Sequence, residues 1–408
     1  MIGSFKKHIL YAGLLTVFAV GWIGVRNWES VSTMIDNASA LNEGGDAAAE
    51  IHSPDDLLRY FAEHPETVSL AVYNAGNPDA GRFVRADTPR AVPTLPKVQV
   101  ALEYHRRVHE GELDPDRPVA VDSVAVFALP GITAAGHERA VDSLAARGSL
   151  ASDSTVALKH WVDAALNLGD AAALDWLLAS WGKEEVRMLP HRQSLSASDP
   201  PQPASGRYLA WMDARRSGTR GSNGAADADR LTRAFRFAER LRAEASYRSA
   251  VRTRLEKEGS GLGLREQAEM AVRTFPRGTA ADYARLIARI SEADEPAERQ
   301  VRERWQESVS TDSAATVVTH LASRSGAYPG LLAIGGFARR GGDLPPRVAV
   351  MLVEDLPLAV LYHLLQTGIH KGFQIQLLAE ESFADRVAAV LAPPPDSLRS
   401  SASVLSNR

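Results

Sequence analysis

Thr94 and Lys97 stand three residues apart in Ala91-Val92-Pro93-Thr94-Leu95-Pro96-Lys97, where a helical pattern begins. Positions i and i+3 of a helix share a face, so this spacing offers the Thr94 hydroxyl to the Lys97 amine. A lysine made neutral there can take the hydroxyl proton, and the positive end of a helix dipole favours both the lowered lysine pKa and an activated oxygen nucleophile. Arginine cannot take this role, because it does not deprotonate in proteins. The chain has seven lysines against thirty-nine arginines, so a lysine at this place is notable. The pattern Thr-x-x-Lys alone is nevertheless expected about once by chance in a chain this long.

Other clusters carry less chemistry. His105 and His109 have the i, i+4 spacing of a metal pair, but their helix reads as polar on that face, which makes them a solvated surface pair. Gly259 to Gly263 lacks both a preceding strand and a following Lys-Ser, so it reads as a helix connection and not a phosphate cradle. Trp161, Trp176 and Trp181 read as core, and Ser143 has no acid or histidine at helical spacing. No metal or cofactor is expected.

The elements that must position Thr94 and Lys97 are legible around them. Ser53-Pro54-Asp55-Asp56 caps a helix carrying Leu57, Leu58 and Phe61. Val68 to Tyr73 and Arg82 to Arg85 form a hairpin about the turn-rich stretch Asn74 to Gly81. The helix from Lys97 to Glu110 stops at Gly111, and helical patterns then dominate to about Ile290, most clearly in Thr155–Ser180, Ala225–Glu258 and Thr279–Ile290. Gln193 to Gly206 and Ser217 to Gly224 read as long surface loops. Strand signals return in Ala315–Thr319, Gly330–Ile334 and Arg347–Val353, before a last helix from Leu358 to about Glu381. The fold class expected is therefore α+β: one antiparallel sheet split in sequence around an all-helical lobe, with a cleft between the two.

Composition narrows the function classes. The chain has 408 residues, 45% of them hydrophobic, enough for a substantial core, and no cysteine, which excludes disulfides and thiolate metal sites. A net charge of -4 with both signs mixed leaves no basic footprint for nucleic acid. Ile9 to Val25 is seventeen residues without a charge, preceded by Lys6 and Lys7. This is expected to be a retained transmembrane helix with the rest of the chain on the non-cytoplasmic side of the cell (inner) membrane, although Ala38-Ser39-Ala40 has the small-residue pattern of a signal cleavage site. The expected organisation is a stub and anchor over 1–29, a tether over 30–50, a domain over 51–392 with a helical insertion at about 184–277, and a disordered tail over 393–408.

The order hairpin, Thr94-x-x-Lys97, Gly111-Glu112-Leu113-Asp114-Pro115-Asp116-Arg117-Pro118-Val119 resembles the class A β-lactamases and penicillin-binding transpeptidases, where Ser-x-x-Lys opens a buried helix. Gly169-Asp170-Ala171, ahead of Ala172 to Leu178, is similar to the family's Ser-Asp-Asn with only the Asp kept. Arg324-Ser325-Gly326 is similar to its Lys-Thr-Gly, keeping charge, hydroxyl and glycine. The resemblance covers about Ser53 to Gly182 and Thr279 to Ala392.

The resemblance implies that Thr94 accepts an acyl group, that Lys97 takes its proton, and that Asp170, Arg324, Ser325 and Gly326 hold substrate, which would be a β-lactam or a peptidoglycan-like peptide. It also implies an oxyanion hole from the Thr94 N–H and an N–H of the late strand. Three departures oppose turnover. The Thr94 methyl crowds the attacking oxygen. Gly169 and Ala171 supply neither the hydroxyl nor the amide of the family motif. Between Met188 and Asp213 there is no glutamate to activate a deacylating water. Two functions follow as expectations: a membrane-anchored hydrolase working through an acyl-enzyme on Thr94, or a catalytically degenerate scaffold that binds cell-wall peptide or a protein partner.

Overall fold

A computed structural model describes residues 37–217, 227–259, 262–307, 318–341 and 344–392. The apolar run Ile9–Val25, the first part of the tether, most of the Ser217–Gly224 loop and the tail lie outside the described residues. Among the described residues no helix is long and apolar enough to cross a membrane.

The chain builds a six-stranded antiparallel sheet from strands at its two ends. After helix α1 (Pro54–Glu63), capped by Ser53 Oγ accepting from Asp56 N, come β1 (Val68–Asn74) and β2 (Asn77–Val84). The late strands are β3 (Gln306–Glu307), β4 (Val318–Tyr328), β5 (Leu331–Arg340) and β6 (Arg347–Val353), and the order across the sheet is β2-β1-β6-β5-β4-β3. The register Val68↔Val353 to Asn74↔Arg347 places β1 and β6 at the centre, where both faces are buried. Alternation sends Leu70, Val72 and Met351 to one face and Ala71, Val350 and Leu352 to the other. This is why both strands are apolar along nearly their whole length.

The first face is covered by α1 and three C-terminal helices. Where one helix over Leu358–Glu381 is expected, Gly368 at φ 72° ends the first (Leu358–Thr367) and opens the second (Ile369–Ala379), and a third runs over Glu381–Leu391. The other face is covered by helix α2 (Pro96–His109) and by α3 (Ala280–Glu292), whose cap Thr279 accepts from Asp282 N. Beyond α2 lies the helical lobe. It includes Leu158–Leu166 and Ala171–Trp181, separated at Gly169 (φ 76°), and the helices Ala204–Arg216, Asp227–Ala243, Ala245–Glu258 and Leu264–Thr274.

Helix α2 is sandwiched: Val98, Ala101 and Leu102 face the sheet while Val100 and Tyr104 face the lobe. This overturns the reading of His105 as a solvated surface residue. Helix Pro296–Trp305 packs along α2, His105 is buried, and burial lowers its imidazole pKa to about 4; only His109 stays exposed. Residues 37–50, expected as part of a tether, are mostly helical and packed, with Ala40 and Ala48 buried and Asn37 Oδ1 accepting from Leu264 N at 2.7 Å. The expected strand Ala315–Thr319 is described only from Val318, where β4 begins; Arg324, Ser325 and Gly326 therefore lie within that strand and not after it.

Candidate functional site

Thr94 is placed by a two-residue antiparallel ladder, Arg90↔Gly278 and Ala91↔Arg277, that ties the segment before α2 to the segment before α3. Glu354, just past β6, anchors it: its carboxylate accepts from Ala91 N and lies 3.6 Å from Arg90 Nη1 and 3.3 Å from Arg277 Nη2. Val92 N donates to Pro276 O, the chain bends at Pro93-Thr94, and α2 starts at Pro96, where the missing N–H costs nothing. Thr94 thus sits two residues before the first helical residue, still linked to the helix through Lys97 N donating to Thr94 O at 3.0 Å.

The side chains of Thr94 and Lys97 do not bond to each other. Lys97 Nζ donates to Ala165 O at 3.0 Å, and among the described residues the Thr94 hydroxyl makes no hydrogen bond. Burial and, after it, the Arg324 charge lower the lysine pKa to about 8 against the opposing pull of Asp170. Lys97 thus combines a lowered pKa with a hydrogen bond to backbone and none to Thr94.

Thr94 is instead packed against β4. A Cβ placed on Gly326 would fall 1.5 Å from Thr94 Oγ1 and 2.3 Å from Thr94 Cβ, so only glycine fits opposite this threonine. Gly326 and Thr94 are therefore in direct contact across the start of α2 and β4.

The remaining expected residues are engaged elsewhere. Asp170 is fully buried and does not reach the cavity beside Thr94: its Oδ1 accepts from Ala172 N (2.9 Å) and Ala173 N (3.2 Å), capping the helix Ala171–Trp181, and its Oδ2 lies 2.8 Å from His137 Nδ1. Its two carboxylate oxygens are thus engaged by its own helix and by His137. Arg324 Nη2 donates to Asn167 Oδ1 at 2.6 Å and its guanidinium lies 5.3 Å from the Trp305 ring centroid, which draws it away from that cavity. Ser325 falls on the face of β4 shared by Leu321 and Ser323, whose hydroxyl bonds Gln374 on a C-terminal helix; alternation puts it opposite the face of Gly326.

A cavity of about 340 Å³ opens beside Thr94 and Lys97, within the size range of small-molecule sites. Its walls come from the start of α2, the end of β4 at Ala327 and Tyr328, and the helical lobe, with Ile132, Leu174, Met270 and Phe275 supplying apolar surface. Arg207 and Tyr208, from the helix Ala204–Arg216, also line it, and no Asp or Glu is among its described lining residues. Sequence reading missed Arg207, one arginine of thirty-nine, and Tyr328, because no local pattern brings three elements so distant in the chain to one place. Among the described residues no group of three His, Asp or Glu side chains is gathered that could hold a metal.

No family model matches the sequence, and no curated protein matches it. Solved structures of similar fold include a β-lactamase from Sphaerobacter thermophilus DSM 20745 (12% identity, TM-score 0.48, covering 79% of this chain and 95% of that one). PBP-A is similar at 10% identity and TM-score 0.46, over 81% and 96% of the two chains. The chromosome-encoded β-lactamase of Vibrio parahaemolyticus is similar at 13% identity and TM-score 0.47, over 81% and 98%.

Proposed function

We propose that this protein is a catalytically degenerate penicillin-recognising scaffold that binds a β-lactam or a peptidoglycan-like peptide in the cavity beside Thr94 without turning it over. The contact between Thr94 and Gly326 carries this reading. An acyl group on Thr94 needs space between that residue and the strand for its carbonyl to reach two backbone donors, and here the hydroxyl is seated against the strand backbone. The absence of a carboxylate from the described cavity wall adds to it, since no base is placed to activate a deacylating water. The run Ile9–Val25 would hold the domain at the outer face of the inner membrane, within reach of the cell wall.

The lowered pKa of Lys97 favours a second reading, slow acylation of Thr94 with no efficient release. Intact-mass spectrometry after incubation with benzylpenicillin, beside equilibrium binding of a fluorescent penicillin, separates the two. Saturable binding with no mass gain is expected. A mass gain lost in Thr94→Ala establishes the acyl-enzyme reading, and no binding at all overturns both.

A further inference from the structure

Arg207 stands half-buried in the wall of the cavity beside Thr94. Its Nε is buried and has no hydrogen-bond partner, and among the described residues the guanidinium is in no ion pair. It lies 3.8 Å from the Phe275 ring centroid, a stacking contact that offsets part of the cost of its burial. Tyr328 and the Asp175 carboxylate act on it through space, and the two Asp175 oxygens accept from Ala204 N (2.6 Å) and Ser205 N (2.7 Å) at the start of the same helix. Lys97 is a second cation on the same wall, and no described lining residue is acidic. A half-buried guanidinium with no carboxylate in contact is poorly compensated, and its planar fork suits a carboxylate.

We propose that the helical insertion supplies this cavity with a carboxylate-binding residue, Arg207, and that the ligand is a small monocarboxylate with an apolar, ring-bearing body. The apolar walls formed by Ile132, Leu174, Met270 and Phe275 take the body, while Arg207 takes the carboxylate in the place the sequence pattern assigns to Arg324. The inference rests on the reading of this cavity as a binding site and adds which residue holds the ligand's charge.

The test is isothermal titration of the full-length chain with phenylacetate and 4-tert-butylbenzoate, with their primary amides as neutral controls and inorganic phosphate as a bare anion. Each carboxylate is expected to bind at least about tenfold more tightly than its amide and than phosphate, since hydrogen bonds to charged groups are among the stronger ones. Arg207→Met is expected to abolish that preference while raising the melting temperature of the unliganded chain, and Arg207→Lys to leave a reduced preference. Equal affinity for carboxylate and amide, or a preference that survives Arg207→Met, overturns the assignment; so does tighter binding of phosphate. A fall in melting temperature for Arg207→Met does so as well, because it marks the arginine as structural. Benzylpenicillin titrated in parallel keeps the two readings apart. Carboxylate binding without penicillin binding sinks only the β-lactam reading, and penicillin binding indifferent to Arg207→Met sinks only the role of Arg207.

Discussion

Gly326 and Thr94 meet so closely that the hydrogen of the glycine stands where any side chain would collide with the threonine hydroxyl. The contact joins β4 to the start of α2. Gly326→Ala is expected to destabilise the fold by about 1–3 kcal/mol, the usual cost of overpacking a tight site. Removing the opposing side chain as well, in Gly326→Ala with Thr94→Gly, should recover much of that loss in urea denaturation. Equal destabilisation in the single and double variants would show that the two residues are not in contact.

Lys97 provides a pH signature. Its folded pKa of about 8 lies below the ordinary lysine value, so between pH 8 and 10.5 the unfolded chain binds more protons at this residue than the folded one. Stability contributed by Lys97 therefore rises with pH across that window, and below pH 8 the protonated, buried amine is a burden. Lys97→Met should be more stable than the native chain near pH 7 by roughly 1–2 kcal/mol, a figure reduced for the lysine's partial exposure, and the gap should narrow toward pH 10.5. Paired denaturation curves at pH 7 and 10 measure it, and a gap independent of pH rejects the lowered pKa.

Asp170 acts on Lys97 through space while capping its own helix. Asp170→Asn keeps an oxygen for Ala172 N and Ala173 N but removes the charge that opposes the lowering of the Lys97 pKa. The lysine pKa is then expected to fall below its native value of about 8, read by NMR of the Lys97 side chain. Asp170→Ala removes the cap as well and should cost about 1–2 kcal/mol. An unchanged Lys97 pKa in Asp170→Asn would confine Asp170 to the cap alone.

How far the sequence foretold these features depends on how local their causes are. Strand β6 has the bounds its apolar run suggests, and Thr279 caps α3 where a helical pattern begins, because both follow from neighbouring residues. The break at Gly368 was hidden, since the apolar period carries on across it and a lone glycine does not by itself end a helix. Motif order named both Thr94 and Gly326, which the fold packs against each other. It could not supply the phase of β4, which turns Ser325 to the other face, nor foresee that Asn167 and Trp305 engage Arg324. His105 shows the same limit: a polar-looking helix face is buried because a distant helix, Pro296–Trp305, lies along it.

Glu354 gives the strongest stability prediction. It sits at the end of the central strand β6, yet its carboxylate serves Ala91 N and faces both Arg90 and Arg277, so it fastens the ladder that sets the Thr94 bend. Arg90 is itself buried; its Nε donates to Ser69 Oγ at 2.7 Å, and burial lowers its pKa against the opposing pull of Glu354. Glu354→Ala leaves that guanidinium without its carboxylate and Ala91 N without an acceptor. A loss of about 3–5 kcal/mol is expected, as for one partner removed from a buried pair. Replacing both charges, in Glu354→Gln with Arg90→Met, should cost less than Glu354→Ala alone, because no unpaired buried charge remains. If the single and double variants unfold at the same urea concentration as the native chain, the ladder is held by backbone pairing and not by this carboxylate.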